Sequence, residues 1–283
     1  MSIPNAAPMV MHGLDASGLI ARRPTTPQVG QLFYDHTFEQ PFMWNGFMWQ
    51  ALRNGPGNIR SFDHFLGDVI ADQWSAAQGS DPQAAIAAIV AASAKGEVVL
   101  TAGDSNDING ISCLTQALNW KLANGSLVFE AKVKVASIAN VAFFIGLSDV
   151  LATTTKEQTF ALSTTTVTAA ADDAFGFLFD TDATTDTIRI VGARATTLVT
   201  GNGTSTALAP VDDTYRVYRI EVTAAGVANF YIDGALVGSL GTAALPVTTI
   251  ATALTPSVYV NGRTTATKTL TLDYVDCDQS LSA

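Results

Sequence analysis

The carboxylates of Asp180, Asp182 and Asp186 in DTDATTD, with Asp172 and Asp173 just upstream, have the spacing of oxygen ligands to a hard cation such as calcium. That loop lacks the glycine and the terminal glutamate of an EF-hand, and aspartates in threonine-rich hairpin loops make turn hydrogen bonds. A turn role is therefore expected, with no metal and no other cofactor. Asp104, Asn106, Asp107 and Asn109 invite the same metal reading, but nothing in the sequence brings a second ligand loop to them. Glycoside hydrolysis needs two carboxylates across a cleft, often carried at alternating positions of one strand. Glu130 alternates with Lys132 and Lys134, and Glu221 follows Arg219, so the strands read here do not supply that pair. The histidines that a nucleophile triad would need are His12, His36 and His64, and all precede the sandwich strands. With no Gly-x-Ser-x-Gly elbow and no glycine-rich phosphate loop, an enzyme is not expected.

Tyr34, Phe42, Trp44, Phe47 and Trp49 crowd into one short segment. Exposed aromatic rings stack on sugars or bury in a protein partner, and a module this small must first use its rings as a core. Part of the cluster is expected to meet another subunit or partner. The apolar residues Met9, Val10, Met11 and Leu14 of the preceding arm are expected to do the same.

The elements that position these residues follow from hydrophobic period. In residues 126–149, Leu127, Phe129, Ala131, Val133 and Val135 alternate with Val128, Glu130, Lys132 and Lys134, the pattern of a half-exposed antiparallel strand. Val141 to Leu147 is apolar on both parities and is expected to be covered on both faces. Such a hairpin needs a second sheet over it. Strand-like segments recur at 111–120, 158–163, 173–180, 187–194, 214–223, 227–234, 235–240, 255–262 and 268–277, with Ala225-Gly226 and Asp233-Gly234 as turns. The fold class expected is all-β, an antiparallel β-sandwich. For residues 83–94, alanine content favours a helix and the flanking turn residues favour a strand; a strand pairing with 97–101 is the reading adopted. Residues 61–82 fit a short helical turn or a lead-in strand equally well.

Four segments result: an extended arm over 1–27 containing Pro4, Pro8, Pro24 and Pro27; an aromatic β-hairpin module over 28–53, turning at Asn45-Gly46; a linker over 54–60; and the sandwich over 61–283. Charged residues make up 14% of the chain and net charge is −10, with no basic run, which argues against nucleic-acid binding. No apolar run approaches a membrane span and no secretory signal is read at the start, so synthesis in a cytoplasm and no membrane partner are expected. The two cysteines, Cys113 and Cys277, are expected to be reduced and buried.

The segment with Tyr34-Asp35, a turn, Pro41, Asn45-Gly46 and Trp49 resembles a small β-module of tailed-bacteriophage appendage proteins. Residues 61–278, with FDHFLGD, ALNW, LVFEAKVKV, FGFLFDTDATTD, YRIEVTAAGVANFYIDG and LTLDYV in that order, resemble the concanavalin A-like, laminin-G-like jelly roll of tailed-phage virion proteins. The resemblance implies a structural virion protein at the capsid surface. It would be a decoration (cement) protein or head fibre, binding phage capsid protein through residues 1–53 and assembling as a homotrimer. The other reading it implies is a carbohydrate-binding tail-fibre or adhesin module. The loops at 150–157, 180–186 and 196–213 carry no aromatic platform, which weakens the carbohydrate reading: capsid decoration is the expectation, with at most weak glycan binding beside it.

Overall fold

The computed structural model describes residues 17–18, 27–28, 31–35, 40–44, 49–51, 58–66, 70–90, 96–105, 108–116, 120–151, 158–199, 201–223, 225–241 and 252–280. The chain divides into two compact units, Met1–Asn58 and Ile59–Ala283. In the first unit, β1 (Ser17–Gly18), β2 (Leu32–Asp35), β3 (Gln40–Trp44) and β4 (Trp49–Ala51) form a four-stranded sheet in that order. β1 runs parallel to β2, and the other neighbours are antiparallel. The Asn45-Gly46 turn lies outside the described residues.

The second unit is a β-sandwich. Its strands are β5 (Asn58–Asp63), β6 (Trp74–Gln78), β7 (Ala85–Ile89), β8 (Val98–Ala102), β9 (Ser112–Gln116), β10 (Leu127–Val135), β11 (Val141–Ser148), β12 (Phe160–Ser163), β13 (Thr166–Ala169), β14 (Ala174–Asp180), β15 (Arg189–Arg194), β16 (Thr197–Leu198), β17 (Thr204–Ser205), β18 (Arg216–Val222), β19 (Ala228–Ile232), β20 (Ala235–Leu240), β21 (Thr255–Gly262) and β22 (Lys268–Ser280). One sheet has the order β20-β19-β18-β10-β22-β8-β7, with β5 also on β22. The other has the order β16-β15-β14-β11-β21-β9-β6, with β17 also on β15. The fold is the jelly-roll sandwich expected from the strand rhythm. Residues 85–89 are strand, paired with β8, because their alternate side chains reach the core while turns flank them. Asn58 to Arg60, read as linker, belong to β5, where Arg60 is held against β22.

Alternation explains the layers. Leu127, Phe129, Ala131 and Val133 of β10 face inward with Tyr218, Ile220 and Val222 of β18. They meet Phe143, Ile145, Phe177 and Phe179 of the other sheet. β11 is buried on both faces: Phe143 and Ile145 point between the sheets, while Phe144 points into a second apolar cluster with Phe160, Leu162, Val167, Leu178 and Tyr259. The cover on that outer face is the β12–β13 hairpin, and the Tyr259 hydroxyl donates to the Phe160 carbonyl at 2.5 Å. Gly146 and Gly176 are register partners beneath the Phe144 ring. A Cβ on Gly176 would lie 2.6 Å from the Ile145 carbonyl oxygen and 2.5 Å from that ring. The β19–β20 turn uses Asp233 and Gly234, both at positive φ, as a two-residue type I′ hairpin demands. Cys277 packs between the sheets and Cys113 in the outer cluster, both buried and not joined by a disulfide.

Candidate functional site

The outer face of the first sheet carries the polar residues with the densest chemistry. On β22, Val275 and Cys277 point into the core, so Tyr274, Asp276 and Asp278 point outward. Register then sets their neighbours. Asp276 lies beside Glu130 of β10, which lies beside Arg219 of β18, and the next row places Asp278, Val128 and Glu221 in line. Asp273 falls where the β10–β22 register shifts, and it takes the Lys132 ammonium at 2.5 Å.

Carboxylates out of water need donors, and two guanidinium groups supply them. Arg219 donates from Nε to Glu221 at 2.6 Å and from Nη1 to Glu130 at 3.1 Å. The other Glu130 oxygen accepts the Tyr274 hydroxyl at 2.6 Å. Burial opposes the Arg219 charge, yet Glu221 and Glu130 outweigh it and hold its pKa above the ordinary value. Burial, then Glu130, drive the Tyr274 phenol upward. Arg60 of β5 forks onto both oxygens of Asp276, at 3.0 and 2.7 Å. Asp278 receives no hydrogen bond among the described residues, and burial followed by Asp276 pushes its carboxyl up to about 6.

Beside these groups stand three rings. Phe62, 43% exposed, lies edge-on to His64 at 4.6 Å and 6.1 Å from Tyr274, and His64 is 5.7 Å from Tyr274. The Arg60 guanidinium lies 5.4 Å from the Phe62 ring centre. A cleft of about 480 Å³ opens beside β5, lined by Ile59, Arg60, Ser61, Phe62, Gln73, Gln116 and Trp120. Trp120 is 1% exposed and its indole N–H has no hydrogen-bond partner among the described residues. A half-exposed ring and polar side chains converging on a cleft are what a small-molecule site offers.

The sequence-derived residues are placed as follows. Met9, Val10, Met11, Leu14 and Phe47 lie outside the described residues, as does the side chain of Trp49. Tyr34 and Trp44 are half-buried, and Phe42, at 4% exposure, is core rather than contact surface. Asp180 is wholly buried and is gripped by Nε and Nη2 of Arg263, with Asp182 3.4 Å from the same guanidinium. An arginine, placed there by the end of β21, neutralises Asp180 and Asp182 of the aspartates that were weighed as cation ligands, while Asp186 stands exposed. His12 and His36 are outside the described residues, and His64 joins the ring group. The sequence reading that no strand alternates acidic residues is corrected by Asp276 and Asp278, and Glu130, read as facing water, is buried. The DCD triplet was the signal for the pair; nothing local signals Arg60 or Trp120.

No family model matches the chain, and no curated protein matches it. Solved structures do. The carbohydrate recognition domain of Emp47p superposes with a TM-score of 0.55 at 11% identity, covering 77% of this chain and 94% of that one. A structure described under endo-acting O-glycanases of the human gut microbiota gives 0.53 at 9% identity, covering 78% and 99%. A glycosyl hydrolase family protein from Mycobacterium fortuitum gives 0.50 at 14% identity, covering 77% and 98%. At these identities the likeness is one of fold. The second unit is a concanavalin A-like jelly-roll domain.

Proposed function

We propose that the sandwich is a glycan-binding module of a tailed-phage virion protein, and that it binds without cutting. One observation carries the binding: Phe62, exposed and backed by His64 and Tyr274, stands on the rim of the 480 Å³ cleft that Arg60, Ser61, Gln73, Gln116 and Trp120 line. A pyranose ring has an apolar C–H face that suits an aromatic ring, and its hydroxyls need the polar groups that the cleft supplies. The scaffold is one on which Emp47p carries a carbohydrate recognition domain. Binding without hydrolysis rests on the carboxylates: Asp276 is engaged by Arg60, and Glu130 by Arg219 and Tyr274, which leaves Asp278 as a single uncommitted carboxylate of this group where glycoside hydrolysis uses a pair.

The virion assignment rests on the resemblance of residues 28–53 and 61–278 to appendage proteins, and assembly as a homotrimer belongs to the same proposal. The test is a glycan array with the full-length protein beside Phe62→Ala, followed by titration of the best oligosaccharide. Binding that falls at least tenfold in Phe62→Ala is expected, with no new reducing ends released. No glycan binding, together with saturable sedimentation on phage capsid shells by both proteins, would replace this reading with capsid decoration through residues 1–53.

A further inference from the structure

We infer that the ligand is a glycan bearing free amino groups, with Asp278 as the anchor for its ammonium; this rests on the glycan-binding reading of the same face. On that face the buried carboxylates Glu130, Glu221, Asp276 and Asp278 outnumber the guanidinium groups of Arg60 and Arg219, with which the first three form ion pairs. Lys132 and Lys134 do not redress the balance, because each is taken by an aspartate of its own, Asp273 and Asp213.

The deficit is localised. Glu130, Glu221 and Asp276 each hold a guanidinium, whereas Asp278 is 9% exposed, accepts no hydrogen bond among the described residues and has Asp276 two positions away on the same strand face. A carboxylate so placed lacks bulk water, and Arg60 and Arg219 act on it only through space, without a hydrogen bond among the described residues, so a cation brought by a ligand supplies a direct partner with little further desolvation. Uronic and sialic acids would add negative charge to a face already in excess of it. The apolar Val128, register partner of Asp278 and half-exposed, leaves lateral room for a sugar ring. Asp278 and the Tyr274 ring are four residues apart on one strand, about 13 Å, so platform and anchor are bridged by an oligosaccharide rather than a single sugar. The exposed face of Phe62, already within reach of the Arg60 cation, favours positive charge as well.

The experiment is calorimetric titration at pH 7 of the full-length protein with a glucosamine tetramer and with its fully N-acetylated counterpart, repeated with Asp278→Asn and Phe62→Ala. The expected result is at least tenfold tighter binding of the free amine, with that preference lost in Asp278→Asn because affinity for the amine falls to that for the N-acetylated tetramer. Preference for the amine should also weaken steeply with added salt. Equal affinity for the two tetramers, both lowered by Phe62→Ala, would overturn the amino-sugar inference and leave the glycan site standing. A preference for the amine that survives Asp278→Asn would overturn the assignment of the anchor. Binding of neither tetramer, nor of any glycan on the array, would remove the site reading and this inference with it.

Discussion

Arg60 and Asp276 stand 216 residues apart in the chain and meet through two parallel hydrogen bonds, Nε to Oδ1 at 3.0 Å and Nη2 to Oδ2 at 2.7 Å. The pair fastens β5 to β22 and orients Arg60 beside Phe62. Loss of Arg60 would leave a buried aspartate without its cation. Arg60→Ala is expected to cost about 3 kcal/mol in urea denaturation, and adding Asp276→Asn to recover part of that loss. An unchanged denaturation midpoint in the single variant would mean that the fork contributes nothing.

Asp278 gives a pH-dependent prediction. Its folded-state pKa of about 6 lies above the ordinary 3.8, so the folded state holds this proton more tightly than the unfolded one and ionisation weakens the fold. The penalty is complete above pH 6, shrinks as pH falls through 6 and is gone below the unfolded value. Asp278→Asn should therefore stabilise the protein at pH 8 by about 2 kcal/mol and change little at pH 4. Denaturant titrations of both proteins at the two pH values would check it; a larger gain at pH 4 would contradict the sign.

Gly176 is expected to tolerate no side chain. Its Cβ would enter the space of the Ile145 carbonyl and the Phe144 ring, with Gly146 directly opposite. Gly176→Ala should cost about 2 kcal/mol through forced backbone displacement and lower the Tm by several degrees. A thermal melt within error of the parent would show that β11 and β14 part more easily than their packing implies.

The Asp180 site should not respond to calcium. With Arg263 forked onto Asp180 and within 3.4 Å of Asp182, a second cation would have to displace a guanidinium. Thermal melts in millimolar calcium and in EDTA are expected to coincide, whereas Arg263→Gln should lower the Tm by leaving a wholly buried carboxylate uncompensated. A rise in Tm with calcium would restore the metal reading of this loop.

The sandwich was legible in the sequence because its signals are local. Alternation along β10 and the two-sided apolarity of β11 depend on side-chain period alone, and both faces of β11 are covered as that pattern requires. The β7 strand was legible from its flanking turns despite its alanines. The site was not, for a physical reason. Asp273, Asp276 and Asp278 within six residues resemble a strand running out into solvent, so β22 was ended at Cys277, one residue short of completing the acidic pair, although it continues to Ser280. What keeps that acidic stretch in a sheet is Arg60 from one end of the unit and Arg219 from the middle, and neither contact leaves a trace in local period. Glu130 was misread on the same account: its parity says water, and its partners say otherwise.

β22, last of the sandwich strands in chain order, lies between β10 and β8 in the interior of its sheet. A ribosome making this chain would release the other strands of the sandwich first, leaving β10 and β8 each with an unpaired edge until β22 emerged. Closure of the sheet thus waits on pairings of high sequence separation, and the nascent protein is vulnerable to aggregation while those edges stand open. A stop codon after Thr267 would therefore yield a product missing the interior of its sheet, and the cell would handle it as unfolded chain.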